Sequence, residues 1–160
     1  MPRLKLDSLD RSILEALQQN ARLSNVELAD KVGLSPSPCL ARVKNLTKKG
    51  VIKRHVTLLD AEKINLSINV FIQISLERQS ESLLEKFEQT VTALPEVMEC
   101  YLMTGDSDYL LRIAVEDINA LRKFILNHLT RISGVSNIRS SLALKQIKYE
   151  TALPLSRLDK

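Results

Sequence analysis

The chain is poor in the residues that most metal and cofactor chemistry needs. It holds two cysteines and two histidines in 160 residues. Cys39 and Cys100 lack metal-type spacing, and neither His55 nor His128 has a neighbouring cysteine or carboxylate pattern, so no metal site and no cofactor are expected. Each cysteine falls at an apolar position of an expected element, where it serves as a small core residue in a reducing cytoplasm. The four glycines are dispersed, which removes a phosphate-binding glycine loop. Tyr101, His128 and the cysteines do not form a convergent nucleophile and base, so a small enzyme is the weakest of the available readings. Nothing resembles a signal peptide, and no apolar run approaches the roughly 18 residues of a membrane span.

What the chain has is positive charge in one half. Lys plus Arg number 23 against 19 Asp plus Glu, with a pI near 9.1. Residues 1–60 hold 11 basic and 6 acidic side chains, net +5, whereas residues 61–160 hold 12 and 13, net −1. A solvated basic surface accounts for charge alone. Joined to the pattern of the same residues, it points to phosphate contacts.

That pattern runs from Ser24 to Arg54 and reads as a helix-turn-helix ending in a basic hairpin. Ser24-Asn25-Val26-Glu27 is a capping box, in which hydroxyl and carboxylate satisfy amide donors at a helix start. That helix ends at Gly33, and Ser35-Pro36 opens a second with an N-cap and proline at the first helical position. The second runs to Lys48-Lys49 and stops at Gly50. An earlier helix, Ser8 to Asn20, places Leu9, Ile13 and Leu17 on one face, toward Leu28, Ala29 and Val32 and toward Cys39, Val43 and Leu46. The open side of the last helix then carries Ser37, Leu40, Ala41, Lys44 and Lys48, with Pro38 in the first turn. Val51 to Leu59, with Lys53 and Arg54, reads as a strand or wing against the duplex, or as an ordinary exposed edge. A short helix, a tight turn and a basic helix is the arrangement that enters a DNA major groove. The candidate DNA-contacting set is Ser35, Ser37, Pro38, Leu40, Ala41, Arg42, Lys44, Lys48, Lys53 and Arg54. Arg42 either touches DNA or braces the fold through an acidic partner.

After a polar linker the periodicity changes to two. Val70, Ile72, Ile74 and Leu76 alternate as a half-buried strand. Ser82-Leu83-Leu84-Glu85 is a second capping box, opening a helix with Leu84, Phe87, Val91 and Leu94 on its apolar face. Val97 to Thr104 and Tyr109 to Val115 read as strands joined through Gly105-Asp106-Ser107-Asp108. Asp117 caps a helix with Ile118, Leu121, Ile125, Leu129 and Ile132 on one side; Gly134 ends it, and Ser136 to Leu144 is the last strand. The order β-α-β-β-α-β is the ferredoxin-like pattern. The sheet face away from the helices mixes Phe71, Tyr101 and Met103 with Arg112, Ser141 and Lys145, which favours burial against a second copy in a homodimer. The fold expected is α+β: a winged helix-turn-helix over 1–60, a linker at 61–67 and a ferredoxin-like domain over 68–160.

In this order of motifs the chain resembles the Lrp/AsnC (feast/famine) family of transcriptional regulators. The resemblance rests on Leu6-Asp7 with Asp10 and Ile13-Leu14, on Asn25 to Ala29, and on Gly33-Leu34-Ser35-Pro36-Ser37-Pro38-Cys39 with Arg42-Val43 and Leu46. Further on it rests on Gly50-Val51-Ile52, Pro95-Glu96-Val97, Thr104 to Leu111 and Gly134-Val135. It implies a RAM-type C-terminal domain that dimerises through its sheet, assembles to tetramers or octamers, and binds a small effector between dimers. The effector site it implies involves Met103, Thr104, Gly105, Asp106, Asp108 and Tyr109, with Ser140 and Ser141 of a neighbouring subunit. An amino acid such as leucine or methionine suits these groups: Asp106 or Asp108 for the ammonium, and Gly105, Thr104 and the serines for the carboxylate. Read without the family, the same Gly-Asp-Ser-Asp stretch is an ordinary turn. Leu40-Ala41 departs from relatives that carry a basic or bulky residue there. An architectural DNA-wrapping protein of the same fold, without an effector, is the rival reading.

Overall fold

The computed structural model describes residues 5–155; the outermost parts of the two expected domains, 1–4 and 156–160, lie outside the described residues. The chain forms two compact units, one from the N-terminal residues to Leu58 together with residues from Lys148 onward, the other spanning Leu59–Ile147.

Three helices build the first unit: α1 (Ser8–Gln19), α2 (Asn25–Val32) and α3 (Pro36–Lys48). Each start has a local cause. The Asp7 carboxylate accepts from the Asp10 amide at 2.7 Å. Ser24 and Glu27 form the expected capping box, with the Ser24 amide donating to Glu27 at 2.7 Å and the Glu27 amide to Ser24 Oγ at 3.3 Å. Gly33 ends α2 with φ +71°, a left-handed conformation that costs a side-chain-bearing residue more. Ser35 occupies the N-cap of α3 but makes no capping hydrogen bond. Of the two amides such a cap accepts from, the third helical residue supplies none, being Pro38, which leaves only that of Ser37.

The core of this unit is Ile13, Leu14, Ala16, Leu28, Ala29, Cys39 and Leu46, with Leu17, Val32 and Val43 half-buried around it. Leu14 and Ala16 take the place expected of Leu9, which is half-buried. Val51 and Ile52 close the bottom of the core, but residues 53–59 are exposed and form no strand. The wing expected there finds no strand within the described residues to pair with. Residues 148–155, grouped by sequence with the second domain, lie with the first. The Leu153 amide donates to Gln18 Oε1 at 2.6 Å, the Gln18 amide donates back to the Leu153 carbonyl at 3.1 Å, and Leu155 packs on the helix core.

The second unit runs β1 (Ile68–Leu76), α4 (Glu81–Thr92), β2 (Val97–Leu102), β3 (Tyr109–Val115), α5 (Ile118–Asn127), one 3-10 turn (Leu129–Arg131) and β4 (Val135–Leu142). The sheet order is β2-β3-β1-β4, every pairing antiparallel. This is the ferredoxin-like arrangement. Val70, Ile72 and Ile74 are fully buried and Leu76 nearly so, on the face shared with Phe87, Val91, Leu111, Ile113, Phe124 and Leu129.

Two helix expectations shift. α4 starts at Glu81 behind an N-cap at Ser80, so Ser82 lies inside the helix and no capping box forms. α5 breaks at His128 into the 3-10 turn; Leu121, Ile125, Leu129 and Ile132 line the core as expected, joined by Phe124, whereas Ile118, the first residue of the helix, is 55% exposed.

Ile72 sits at the centre of the sheet, paired with Leu111 on one side and Ser140 on the other. We expect Ile72→Ala to cost about 2–5 kcal/mol, because the neighbours of a central strand collapse little into the space left. Urea titration of the full chain checks this; a loss below about 1 kcal/mol would mean the core relaxes freely.

Candidate functional site

On α3 the buried side is Cys39 and Leu46, with Arg42 and Val43 half-buried. This leaves Ser37, Leu40, Ala41, Lys44 and Lys48 on the open side, as the helical period requires. Ser35, Pro38, Lys53 and Arg54 face outward as well. The start of α3 is tied to α2, since the Asn25 side-chain amide donates to the Pro36 carbonyl at 2.8 Å. Among the described residues Lys44 and Lys48 have no acidic partner, so their charge stays available.

Arg42 stands apart from that set. Its Nη1 donates to Asp7 at 2.6 Å and to Asp10 at 2.8 Å, both at the start of α1. The Asp10 amide and the Arg42 guanidinium hold the Asp7 carboxyl below its ordinary value, and the two carboxylates hold the guanidinium above its own. Of the two roles open to Arg42 in the sequence, the geometry supplies the brace. The acidic partners were visible in the sequence as Asp7 and Asp10, but their reach to Arg42 depends on how α1 crosses α3.

The hairpin between β2 and β3 holds most of the second candidate set. Met103, Thr104, Gly105 and Asp106 are exposed, and Gly105 has φ +124°, which suits glycine alone. Asp108 differs from Asp106. It is 9% exposed, its Oδ2 accepts from the Leu76 amide at 2.7 Å and its Oδ1 from Gln79 Nε2 at 2.5 Å. Its own amide donates to the Ile74 carbonyl at 2.9 Å. Asp108 therefore fastens the hairpin to the end of β1. Tyr109 points into the core at 1% exposure, its ring 4.5 Å from Phe87 and its hydroxyl donating to Glu88 at 2.7 Å. Burial and the Glu88 carboxylate push its phenol above the usual value.

Ser140 and Ser141 are exposed on β4, opposite Ile72 and Phe71, well along β1 from the Leu76 end that Asp108 reaches. One chain does not bring them to the hairpin. On the open sheet face, Arg112 donates to Glu99 at 2.6 and 2.8 Å, and the Tyr101 hydroxyl donates to the other Glu99 oxygen at 2.7 Å. These hydrogen bonds, Arg112 first, hold the Glu99 carboxyl below its usual value. Glu99, Gln79 and Glu88 were missed by the sequence reading; a cross-strand register of β2 on β3 is the signal that pairs Glu99 with Arg112.

A cavity of about 280 Å³ also lies in this unit, lined by residues that include Glu96, Lys123, Phe124 and His128. None of the expected effector residues borders it. Among the described residues, no group of His, Cys, Asp and Glu is placed to hold a metal ion, and no helix is long and apolar enough to cross a membrane.

Comparison with known proteins also divides the chain in two, except that the second match takes in residues 148–153, which group with the first unit in the structure. Residues 6–53 match the winged helix-turn-helix DNA-binding family, and residues 69–153 match the Lrp/AsnC ligand binding domain. The chain is 43% identical over 151 residues to the Bkd operon transcriptional regulator of Pseudomonas aeruginosa, covering 94% of this chain and 99% of that protein. It is 41% identical over 152 residues to the leucine-responsive regulatory protein of Escherichia coli, covering 95% and 93%. Among solved structures, a transcriptional regulator from Neisseria meningitidis in complex with L-Met superposes with a TM-score of 0.92 at 44% identity, covering 96% of this chain and 99% of that one.

The Arg42 brace is open to a direct measurement. We expect Arg42→Ala to lower the melting temperature, and the loss to shrink when Asp7 and Asp10 are already alanine, as coupled residues require. The salt dependence of DNA binding should stay as in the parent. An Arg42→Ala protein of normal stability with a flatter salt dependence would move this guanidinium onto the DNA.

Proposed function

This chain belongs to the Lrp/AsnC family of DNA-binding transcriptional regulators, and from that premise we propose that it is a cytoplasmic regulator whose DNA occupancy responds to a free amino acid with an aliphatic side chain. The family is one of regulators and not of enzymes. The observation that carries the effector half of the proposal is the contrast between Asp106, exposed at the hairpin, and Asp108, buried and engaged. Asp106 is the carboxylate left to accept an ammonium group. The Gly105 amide and the Thr104 hydroxyl are the donors beside it for the ligand's carboxylate, and Ser140 and Ser141 of a neighbouring subunit complete that part of the site. Leu102 and Met103, exposed next to them, give an aliphatic side chain something to cover. The relatives named for leucine and crystallised with L-Met support this size and polarity of ligand. Two free cysteines, one of them fully buried, suit the reducing cytoplasm.

On the DNA side, α3 enters the major groove with Lys44 and Lys48 on phosphates, and Lys53 and Arg54 continue the contact along the backbone. The exposed Phe71 and Tyr101, with the Glu99–Arg112 pair between β2 and β3, make the open sheet face the surface for a homodimer that assembles further to a tetramer or octamer. A ligand held between dimers acts by favouring one assembly over another, and its effect on DNA equals the difference in its affinity for the two.

Lys44→Ala and Lys48→Ala should each weaken binding about equally on different sequences, and each should reduce the slope of log affinity against log salt by roughly 0.9. Fluorescence anisotropy over a salt series measures it. Unchanged slopes in both variants would take these residues out of the interface.

Asp106→Asn should lower amino-acid affinity by at least about tenfold, the worth of a partly desolvated charge-assisted hydrogen bond, while leaving the melting temperature and basal DNA affinity as in the parent. Asp108→Asn should instead lower the melting temperature, because the Leu76 and Gln79 donors lose their charged acceptor. Calorimetric titration with the twenty amino acids, with sedimentation alongside, separates the outcomes. A parent that binds none of the twenty would favour the architectural DNA-wrapping role over the responsive one.

A further inference from the structure

The first half of α3 carries no side chain that can make a paired hydrogen bond to a base. From Ser35 to Ala41 the residues are Ser, Pro, Ser, Pro, Cys, Leu and Ala. Guanine is read by Arg or Lys, adenine by Asn or Gln, and cytosine by an acidic acceptor; none of these occurs in that stretch. Arg42, the next residue, has its guanidinium held by Asp7 and Asp10. Asn25, at the start of α2, commits its side-chain amide to the Pro36 carbonyl.

What this half of the helix does present is aliphatic. Leu40 is 41% exposed, and Ala41 beside it is exposed too. On α1 to α3 the other large aliphatic side chains are buried or half-buried, Val26 excepted. An apolar contact in the major groove has one complement, because thymine alone among the bases carries a methyl group there.

We infer that α3 reads thymine through its C5-methyl, with Leu40 and Ala41 as the patch that covers it. The inference rests on the proposal that α3 enters the major groove. Lys44 and Lys48, one and two turns further along the helix, bind phosphate and so fix the register that brings Leu40 over a base edge. Specificity then comes from where thymines stand in the site, and a guanine contact from the first half of the helix plays no part in it.

The test uses the full chain and a pool of duplexes with a randomised centre. The enriched duplex is remade with each thymine replaced in turn by deoxyuridine, which lacks the methyl and nothing else. At the thymines under α3, affinity should fall about fourfold per methyl removed. Leu40→Ala should lose most of the difference between the thymine and uracil duplexes, keeping only what Ala41 covers, and Leu40→Met, which keeps an apolar reach, should restore it. Leu40 lies outside the helix core, and melting curves verify that both variants fold. If uracil is tolerated at every position, or if Leu40→Ala keeps the full penalty, the inference falls while the DNA-binding reading stands, since a duplex was enriched. Failure of the parent to enrich any duplex would overturn that reading and this inference with it.

Discussion

β1 lies between β3 and β4, so its backbone is hydrogen-bonded along both edges and its side chains have two faces to choose from. Val70, Ile72, Ile74 and Leu76 fill one of them, and a slip of one residue would turn all four toward the open side. Much of the second unit depends on that single register. It places Leu111 and Ile113 of β3 on the core face beside them, which gives Phe87 and Val91 of α4 and Phe124 of α5 a surface to pack on. It also sets where β1 ends. Leu76 there offers its amide to Asp108, so the hairpin after β2 is anchored to the central strand as well as to its neighbour in sequence.

The first unit solves a different problem with less material. Its three helices are short, and packing on one another supplies what intrinsic helix propensity does not. α3 begins with prolines at its first and third positions, which lack the amide protons a helix start would otherwise leave unsatisfied. Pro38 also removes one of the two amides that Ser35 could cap, and Ser35 makes no capping hydrogen bond. The orientation of α3 depends instead on Asn25 reaching Pro36 from α2, on Cys39 and Leu46 in the core, and on Arg42 reaching Asp7 and Asp10. The side chains left pointing outward are those that nothing inside the unit needs.

The elements themselves were legible in the sequence because their signals are periodic or local. The alternation from Val70 to Leu76, the Ser24–Glu27 box and the Asp117 cap each depend on neighbours within a few residues. Misreadings came where two local signals compete or where a partner lies far along the chain. Ser80 and Ser82 can both cap a helix, and the helix takes the earlier one. Ile118 keeps the helical period with Leu121, yet as the first residue of α5 it stays exposed while Phe124 joins the core. Tyr109 sits next to an effector-like turn, but a strand alternates, and as the partner of Ile74 it faces the core. The return of residues 148–155 to α1 rests on a Gln18–Leu153 pairing that no period announces. For the sites, the exposed side of α3 comes directly from helical geometry. The different situations of Asp106 and Asp108 cannot be read from sequence, because they are settled by Gln79 and Leu76.

That difference bears on how a turn can hold a charged ligand without coming apart. A carboxylate that must bind a ligand is solvated when the site is empty and loses part of that water on binding, so it contributes little to folding. A carboxylate that must hold a turn is most effective when already dry and paired, since a buried donor left without its acceptor costs roughly 1–3 kcal/mol. One residue cannot meet both demands. In this hairpin Asp108 holds the turn, committed to the Leu76 amide and Gln79, and the ligand role proposed above falls to Asp106, two residues earlier and exposed beside Gly105. The Asp108 brace ties the turn to the end of β1, and a turn held in one shape would lower the ordering cost of the binding proposed for it.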